Sequence, residues 1–241
     1  MNREHRNLSW TKTRRGFLVA SGQVGAILVA SRTVGLTEPS PPPAEKEEEV
    51  SPAEDLMREH GLLNRVLLIY EEFLRRIGAQ QDFDPVVLAQ SAGVIRNFVE
   101  DYHEKLEENY LFPRFEKARK LVELVGVLRE QHRAGRQVTE AILQLAKLPT
   151  LKNPDDRRRL QKLLQEFIRM YRPHEAREDT VLFPAFHEIV TPHEYGALGE
   201  EFEDKEHQLF GQEGFEGMVD KVATIEKSLG IFELAQFTPA V

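Results

Sequence analysis

The chain has 241 residues, of which 41% are hydrophobic, and a formal net charge of −8 at pH 7. This size suits one domain with its own hydrophobic core, and the negative charge, spread along the chain, does not indicate a nucleic-acid partner. Because there is no cysteine, disulfides, thiolate zinc sites and cysteine-ligated iron–sulfur clusters are excluded, which leaves His, Asp and Glu as ligands for iron, manganese or zinc.

An export signal is predicted at residues 1–36. Arg14 and Arg15 precede an uncharged stretch from Phe17 to Ala30. This stretch has the length of a signal core, roughly 7–15 residues, and is too short to span a membrane. Paired arginines followed by Gly-Phe-Leu are typical of a twin-arginine signal. We expect export to the periplasm, with the signal contacting the membrane during transport; the alternatives are an ordinary secretion signal and an uncleaved signal that anchors the protein in the inner membrane.

A linker and four helices are predicted next. Residues 37–50 combine proline with acidic residues and predict an extended linker. From residue 51 onward the hydrophobic periodicity is helical, and no segment alternates like a strand. Capping residues and prolines place the helices at 51–77, from Asp84-Pro85, at roughly 118–147, and from Asn153-Pro154. The sequence therefore predicts an all-α fold in which residues 51–190 form an up-down-up-down four-helix bundle.

A C-terminal helical extension is predicted at residues 191–241. Thr191-Pro192-His193-Glu194 predicts the start of a fifth helix that runs to about Phe210, and a sixth runs from about Phe215 to Leu229. The apolar residues of these helices either cap the bundle or form a subunit interface, so an oligomer through the C-terminal helices is one expectation.

The most informative feature is a repeated motif. His103-x-x-x-Glu107 recurs 71 positions later as His174-x-x-x-Glu178. Residues four apart lie on one face of a helix, so each histidine and its glutamate project together. A Phe-Pro-x-Phe sequence follows each pair at the same distance, and we expect it to end or kink the helix.

A further histidine precedes each copy of the motif at nearly equal distance, and these residues are His60 and His132. The repeated unit is therefore a histidine, a long interval, and His-x-x-x-Glu. Four helices in this order place two histidines and one carboxylate from each half around a central point. A helical bundle builds a site for two iron or manganese ions in this way.

Buried arginines offer another explanation for these carboxylates. Glu107 and Glu178 lie on the core side of their helices, where an unpaired anion costs several kcal/mol. Arg65, Arg136 and Arg177 would supply positive charge, but they do not account for four histidines on the same apolar faces. A metal centre uses all of these histidines, and we therefore predict a metal site.

The motifs resemble those of a known family. Residues from about Ser51 to Phe186 look like a hemerythrin-like domain of the His-His-Glu cation-binding type, and the Glu-x4-Phe-Pro flanks match as well. The resemblance implies a non-haem di-iron site, with manganese or zinc as less expected metals. In it Glu107 and Glu178 bridge the irons, and the terminal ligands are His60, His103, His132 and His174.

The chain departs from oxygen-carrying hemerythrin at two positions. The third helix of that protein has two histidines four residues apart, whereas Arg136 follows His132 here. Glu178 follows His174 by four residues instead of five. The symmetric ligand set is more similar to bacterial proteins that repair iron centres and respond to nitric oxide. His207, in an acidic part of the predicted fifth helix, is a candidate fifth histidine ligand; the alternative is a surface histidine, and the residues do not decide between the two.

The predicted ligands leave coordination positions open for a small molecule on two six-coordinate irons. The leading expectation is an exported di-iron protein that binds or senses oxygen, nitric oxide or peroxide, or that stores the iron itself. The second is an enzyme that reduces peroxide or nitric oxide, or repairs iron centres, at the same ions. The third is a bundle whose metal is purely structural. The residues alone do not decide whether the protein is an enzyme.

Overall fold

The computed structural model describes residues 50–147 and 152–239. The predicted signal and nearly all of the predicted linker lie outside these residues. Within them, all regular secondary structure is helical, which confirms the all-α prediction. No helix in the described ranges is long and apolar enough to cross a membrane.

Six main helices, α1 to α6, follow one another along the described chain. α1 spans Pro52–Gly78. α2 is a continuous run made of α-helix Pro85–Val94, π-helix Ile95–His103, α-helix Glu104–Leu106, π-helix Glu107–Leu111 and α-helix Phe112–Ala118. The others are α3 (Val122–Leu145), α4 (α-helix Pro154–Arg177, π-helix Glu178–Leu182 and α-helix Phe183–Phe186), α5 (Pro192–Phe210) and α6 (Gly214–Leu229). A 3₁₀ turn, Leu234–Phe237, follows α6.

Side-chain caps begin most of these helices where the sequence predicts. The Ser51 hydroxyl accepts a hydrogen bond from the Glu54 N–H at 3.2 Å, and the Thr191 hydroxyl accepts one from the Glu194 N–H at the same distance. A proline occupies the first turn after each cap, where its missing N–H costs nothing. α3 is an exception, because it begins later than predicted. Arg119 and Leu121 adopt left-handed conformations with φ of 53° and 51°, and these end α2 before α3 can start.

The two Phe-Pro motifs do not stop their helices at once. The Phe112 N–H bonds the carbonyl of Glu107, and the Phe183 N–H bonds the carbonyl of Glu178, so a π-helical turn precedes each proline. A regular α-helix would bring a proline ring against the carbonyl four residues earlier, and the widened turn changes that register. α2 continues to Ala118, three residues beyond its motif, whereas α4 ends at Phe186, the last residue of its motif, as predicted.

Packing of the first four helices forms the bundle core, with α1 against α4 and α3 against both α2 and α4. α5 lies on α1, and α6 lies on α1, α2 and α5. Aromatic rings join these layers, since Phe98 of α2 contacts Phe210 and Phe215 with ring centroids 5.3 and 6.1 Å apart. The C-terminal helices thus cover one side of the bundle.

Candidate metal centre

Six buried side chains from the four bundle helices meet inside the bundle. They are His60 on α1, His103 and Glu107 on α2, His132 on α3, and His174 and Glu178 on α4. None is more than 4% exposed. Their ligand atoms form two overlapping groups within 4.8 Å, one of His60, His103 and Glu107 and the other of Glu107, His132, His174 and Glu178. The two copies of the sequence motif therefore converge on one place.

The four histidines face each other in two pairs. The Nε2 atoms of His60 and His103, the first pair, are 3.1 Å apart. Those of His132 and His174, the second pair, are 3.3 Å apart. An imidazole nitrogen that carries no proton only accepts, so two such atoms at this distance need a proton or a cation beside them.

Each glutamate of the site reaches one histidine from each pair. Four distances define this arrangement: Glu178 Oε2 lies 3.4 Å from His60 Nε2 and 3.2 Å from His174 Nε2, and Glu107 Oε2 lies 3.8 Å from His103 Nε2 and 3.4 Å from His132 Nε2. Both carboxylates therefore lie between the pairs. A carboxylate in this position can contact ions bound at either pair.

Every histidine ring is also held at its outer nitrogen. The Nδ1 contacts are His60 to Asp179 Oδ1 at 2.7 Å, His103 to Glu59 Oε2 at 2.7 Å, His132 to Glu108 Oε1 at 3.1 Å and His174 to Gln131 Oε1 at 2.9 Å. An Nδ1–H that donates to an oxygen leaves the Nε2 lone pair facing the interior. Metal-ligating histidines are usually oriented in this way.

Sequence reasoning did not identify these four acceptors. The signal that marks them is position, because each is the chain neighbour of a predicted ligand. The neighbours are Glu59 before His60, Gln131 before His132, Glu108 after Glu107 and Asp179 after Glu178. Each acceptor holds a ring that belongs to a different helix, so the four contacts tie the four helices together around the site.

The two glutamates carry the buried charge of the site. Within the described part of the chain, none of the four carboxylate oxygens of Glu107 and Glu178 has a hydrogen-bond partner. Burial raises the pKa of Glu107 well above its ordinary value, and the charge of Glu178 adds to this. Burial acts in the same direction on Glu178, but His174 and His60 outweigh it and hold the pKa of Glu178 well below its ordinary value. A dication beside them would compensate the buried charge of both carboxylates.

The arginines considered as partners from the sequence do not fill this role. Arg65 pairs with Glu226 of α6 at 2.6 Å. Arg136 pairs with Glu104 and Glu108 at 2.6 and 2.7 Å, and Arg177 is exposed. None of these three arginines therefore neutralises Glu107 or Glu178, and this donor set of oxygen and nitrogen fits a metal site.

Phenylalanines of the repeated Phe-Pro motif cover the centre on one side. Phe112 stacks on His132 and Phe183 stacks on His60, each with ring centroids 5.5 Å apart. Both phenylalanines are fully buried. They exclude water from one histidine of each pair.

A buried tyrosine and glutamate lie beside the second pair. The Tyr171 hydroxyl donates to Glu104 Oε1 at 2.7 Å, and the Tyr171 ring is 5.5 Å from that of His174. Burial raises the pKa of Glu104 to about 8, although Arg136 opposes the shift. Gly135 of α3 makes room for this tyrosine, because a Cβ at that position would lie 2.1 Å from the hydroxyl.

His207 is not brought to the six residues. It is half-buried on α5 and belongs to none of the groups of His, Asp and Glu that come within ligand distance of one another in the described ranges. Its neighbour Glu206 faces inward, on the same side as Tyr195, Leu198 and Phe202, and it groups with Asp55 and Glu59. The phase of α5 explains the difference, because adjacent residues of a helix point in directions about 100° apart.

Comparison with known proteins gives two findings. Residues 51–186 match the sequence model of a family described as hemerythrin HHE cation binding domain. The chain is also 45% identical over 233 residues to the uncharacterized protein Mb2018 of Mycobacterium bovis and to the uncharacterized protein Rv1995 of Mycobacterium tuberculosis, and each alignment covers 94% of this chain and 91% of the relative. Such coverage extends past residue 186, so these relatives share most of the C-terminal region. No solved structure is significantly similar to the chain.

Proposed function

This chain belongs to the hemerythrin HHE cation-binding family, and from that premise we propose that it is a non-haem di-iron protein. The observation that carries the proposal is the position of Glu107 and Glu178, each in contact with one histidine of each pair. Two overlapping ligand groups that share Glu107 support two ions instead of one.

Each residue of the centre has a distinct role in this proposal. The first pair, His60 and His103, would hold one iron and the second pair, His132 and His174, the other, with the two carboxylates between them. Iron would supply open coordination positions and a change between ferrous and ferric states. The protein orients the imidazoles through their Nδ1 contacts and keeps water away through the phenylalanine rings.

We propose that the centre binds or senses a small molecule such as oxygen, nitric oxide or peroxide. Its ligands are at most 4% exposed, so only a small molecule can reach them without a large rearrangement. Six protein ligands leave several positions free on two six-coordinate ions. The symmetric set of four histidines and two glutamates also lacks the extra histidine of oxygen carriers, so reversible oxygen transport is not proposed.

Elemental analysis of the full-length protein, purified aerobically without added metal, tests the di-iron proposal. We expect close to two irons per chain and an absorption spectrum that changes when nitric oxide is added to the reduced protein. One iron per chain, stoichiometric zinc alone, or no metal after careful preparation would contradict it.

An enzyme that reduces peroxide or nitric oxide is the second candidate function. The hydrogen-bonded Tyr171 and Glu104 favour it, because they place a proton donor beside the second pair. The measurement is peroxide turnover by the iron-loaded protein and by Tyr171→Phe, which keeps the ring and removes the hydroxyl. Turnover that falls in the variant at unchanged iron content supports the enzyme, and no turnover in either protein supports binding alone.

We also propose export to the periplasm by the twin-arginine route. The support is the Arg14-Arg15 pair ahead of a short uncharged stretch. Replacing both arginines with lysine should leave the protein in the cytoplasm, because this route recognises the pair and not positive charge alone. Unaltered export of that variant would point to the general secretion route.

A further inference from the structure

A row of glutamates follows one face of α2 toward the metal centre. Glu100, Glu104 and Glu108 lie four residues apart, roughly one helical turn from each other. Glu100 and Glu104 are at most 1% exposed. The row ends at the centre itself, because Glu108 holds the Nδ1 atom of His132 at 3.1 Å.

A single arginine occupies the inner end of this row. Nη2 of Arg136 lies 2.6 Å from Glu104 and 2.7 Å from Glu108. Atoms of these two glutamates and of His132 come within 4.8 Å of one another, a spacing that would also suit a metal ion. The guanidinium therefore occupies a position where three ligands could hold a cation. It is held there through one nitrogen, since its buried Nε has no hydrogen-bond partner in the part of the chain that the structure describes.

A surface pocket of about 500 Å³ adjoins Arg96 and Arg136, the two arginines that pair with glutamates of the row. Arg136 lines this pocket together with Arg96 and Glu140. The Glu140 side chain is 58% exposed, and Arg96 lies between it and Glu100, at 3.5 Å from Glu140 and 2.7 Å from Glu100. Glu100 is fully buried, and its Oε1 accepts no hydrogen bond from any described residue. The carboxylates of Glu140, Glu100, Glu104 and Glu108 thus follow one another from the surface to the centre.

The equivalent face of the bundle, between α1 and α4, keeps only the two inner acidic positions of this row, as Glu175 and Asp179. Asn64 follows His60 by four residues, as Arg136 follows His132, and it donates to Glu175 at 2.9 Å where Arg136 contacts Glu104. Tyr171 precedes His174 by three residues, where Glu100 precedes His103. A neutral amide is therefore sufficient to support the ligands on that face. Glu100 and Arg136, whose counterparts between α1 and α4 are the uncharged Tyr171 and Asn64, call for another explanation.

We propose that divalent metal ions reach the centre through the pocket between α2 and α3, passing from Glu140 to Glu100, Glu104 and Glu108 as the side chains of Arg96 and Arg136 swing aside. Arg136 takes the place of the metal ion while the route is idle, and it keeps the glutamates paired. The inference rests on the proposed metal-binding function. Oxygen ligands suit ferrous iron and other divalent ions of the first transition row.

The test is the rate of Co²⁺ uptake by the full-length protein after metal removal, followed by stopped-flow absorption, with circular dichroism to show that the helices persist. Glu140→Gln removes the charge at the pocket mouth, and Glu130→Gln, an exposed glutamate elsewhere on α3, is the matched control. We expect Glu140→Gln to slow uptake about threefold to tenfold with unchanged final stoichiometry, because surface charges steer ions toward a site. Glu130→Gln should behave as wild type. Arg136→Gln should take up metal faster.

Release measures the same route in the opposite direction without a metal-free state. Loss of ferrous iron from the reduced protein to an external chelator should be faster in Arg136→Gln than in wild type. If Glu140→Gln loads at the wild-type rate, or if Arg136→Gln neither loads nor releases faster, the route is elsewhere and the inference is wrong. If the wild-type protein binds no metal at equilibrium, the proposed function fails and this inference fails with it. Normal stoichiometry with unchanged rates would overturn the route alone.

Discussion

The two halves of the bundle, α1 with α2 and α3 with α4, present the same ligands inward but differ one layer further out. In each half, the residue before the first histidine holds the ring of the second, and the residue after the glutamate holds a ring in the other half. A π-helical turn begins at each of these glutamates, Glu107 and Glu178. The symmetry is therefore complete at the six proposed ligands, and two equivalent ion positions would require such equivalent donors.

The residues around the proposed ligands differ in charge between the two faces of the bundle. Between α1 and α4 the neutral Asn64 donates to Glu175, whereas between α2 and α3 the charged Arg136 contacts Glu104. The anchors differ as well, since Glu59 holds His103 and an amide, Gln131, holds His174. A neutral hydrogen-bond partner is therefore enough to orient the proposed metal ligands, and the charges of Arg136 and Glu59 are not needed for that role.

The inner symmetry predicts equal effects of Glu107→Gln and Glu178→Gln. Each variant should lose at least one iron, because a Gln amide cannot replace a bridging carboxylate. A ligand whose free concentration is about a thousand times its Kd stabilises the folded state by about 4 kcal/mol. Loss of that ligand should lower the Tm by roughly 10 °C for a domain of this size. Elemental analysis and thermal unfolding measure both effects. Exposed His187 supplies the control, His187→Gln, which should match wild type.

Glu107→Gln should have the opposite effect once the metal is removed. Metal-free wild type buries carboxylate oxygens without partners, and replacing one carboxylate by an amide lowers that cost. We expect metal-free Glu107→Gln to unfold at a higher temperature than metal-free wild type. Retention of both irons by either variant, or a large difference between the two, would break the symmetry argued here.

The outer difference predicts unequal effects of Arg136→Ala and Asn64→Ala. The first leaves the buried Glu104 without its cation, at a cost of about 3 kcal/mol in the free energy of unfolding. The second removes one hydrogen bond, at a cost of about 1 kcal/mol. Urea unfolding of the metal-loaded variants measures both values. Equal losses would show that the two faces are held in the same way despite their charges.

The two halves also differ at Gly135, a residue that leaves room for the Tyr171 side chain. Alanine at this position would place a Cβ against the Tyr171 hydroxyl at 2.1 Å, and such overpacking costs roughly 1–3 kcal/mol. Gly126→Ala on the same helix is the matched control, because no atom lies within 4 Å of its added Cβ. That change should stabilise the protein by roughly 0.5–1 kcal/mol, since alanine is the better helix former. Thermal unfolding that ranks the two variants in the reverse order would contradict this packing.

The anchors provide the smallest test. Glu59→Gln makes the first half resemble the second, where Gln131 has this role, and it should leave metal affinity nearly unchanged. Glu59→Leu removes the acceptor of the His103 Nδ1–H and should weaken metal binding about 10-fold to 100-fold. Competition with a chelator measures the affinities. A strong loss in Glu59→Gln would mean that the charge of Glu59, and not its hydrogen bond, matters.

Much of the fold and of the ligand set follows from local sequence. The caps at Ser51 and Thr191 satisfy N–H groups within three residues, so short-range chemistry places these helix starts. His103 and Glu107 share a face because four residues make about one turn, and the repeat then points to His60 and His132. The all-α fold and the convergence of six side chains were predictable for these reasons.

Other features depend on contacts between helices. Glu59 and Gln131 bind rings on neighbouring helices, and a chain position beside a ligand does not reveal which ring that is. The rotation of α5 about its axis directs Glu206 inward and leaves His207 out of the ligand groups. A rotation of about 100°, the angle between adjacent residues, would exchange the two.

Periodicity therefore determined which side chains this sequence offers to a metal, because helix geometry repeats every 3.6 residues whatever the surroundings. Tertiary structure alone decided how the centre is supported. The Nδ1 anchors and the contacts of Arg136 with Glu104 and Glu108 join residues that are distant in the chain. These contacts depend on how the helices pack, which local sequence does not encode.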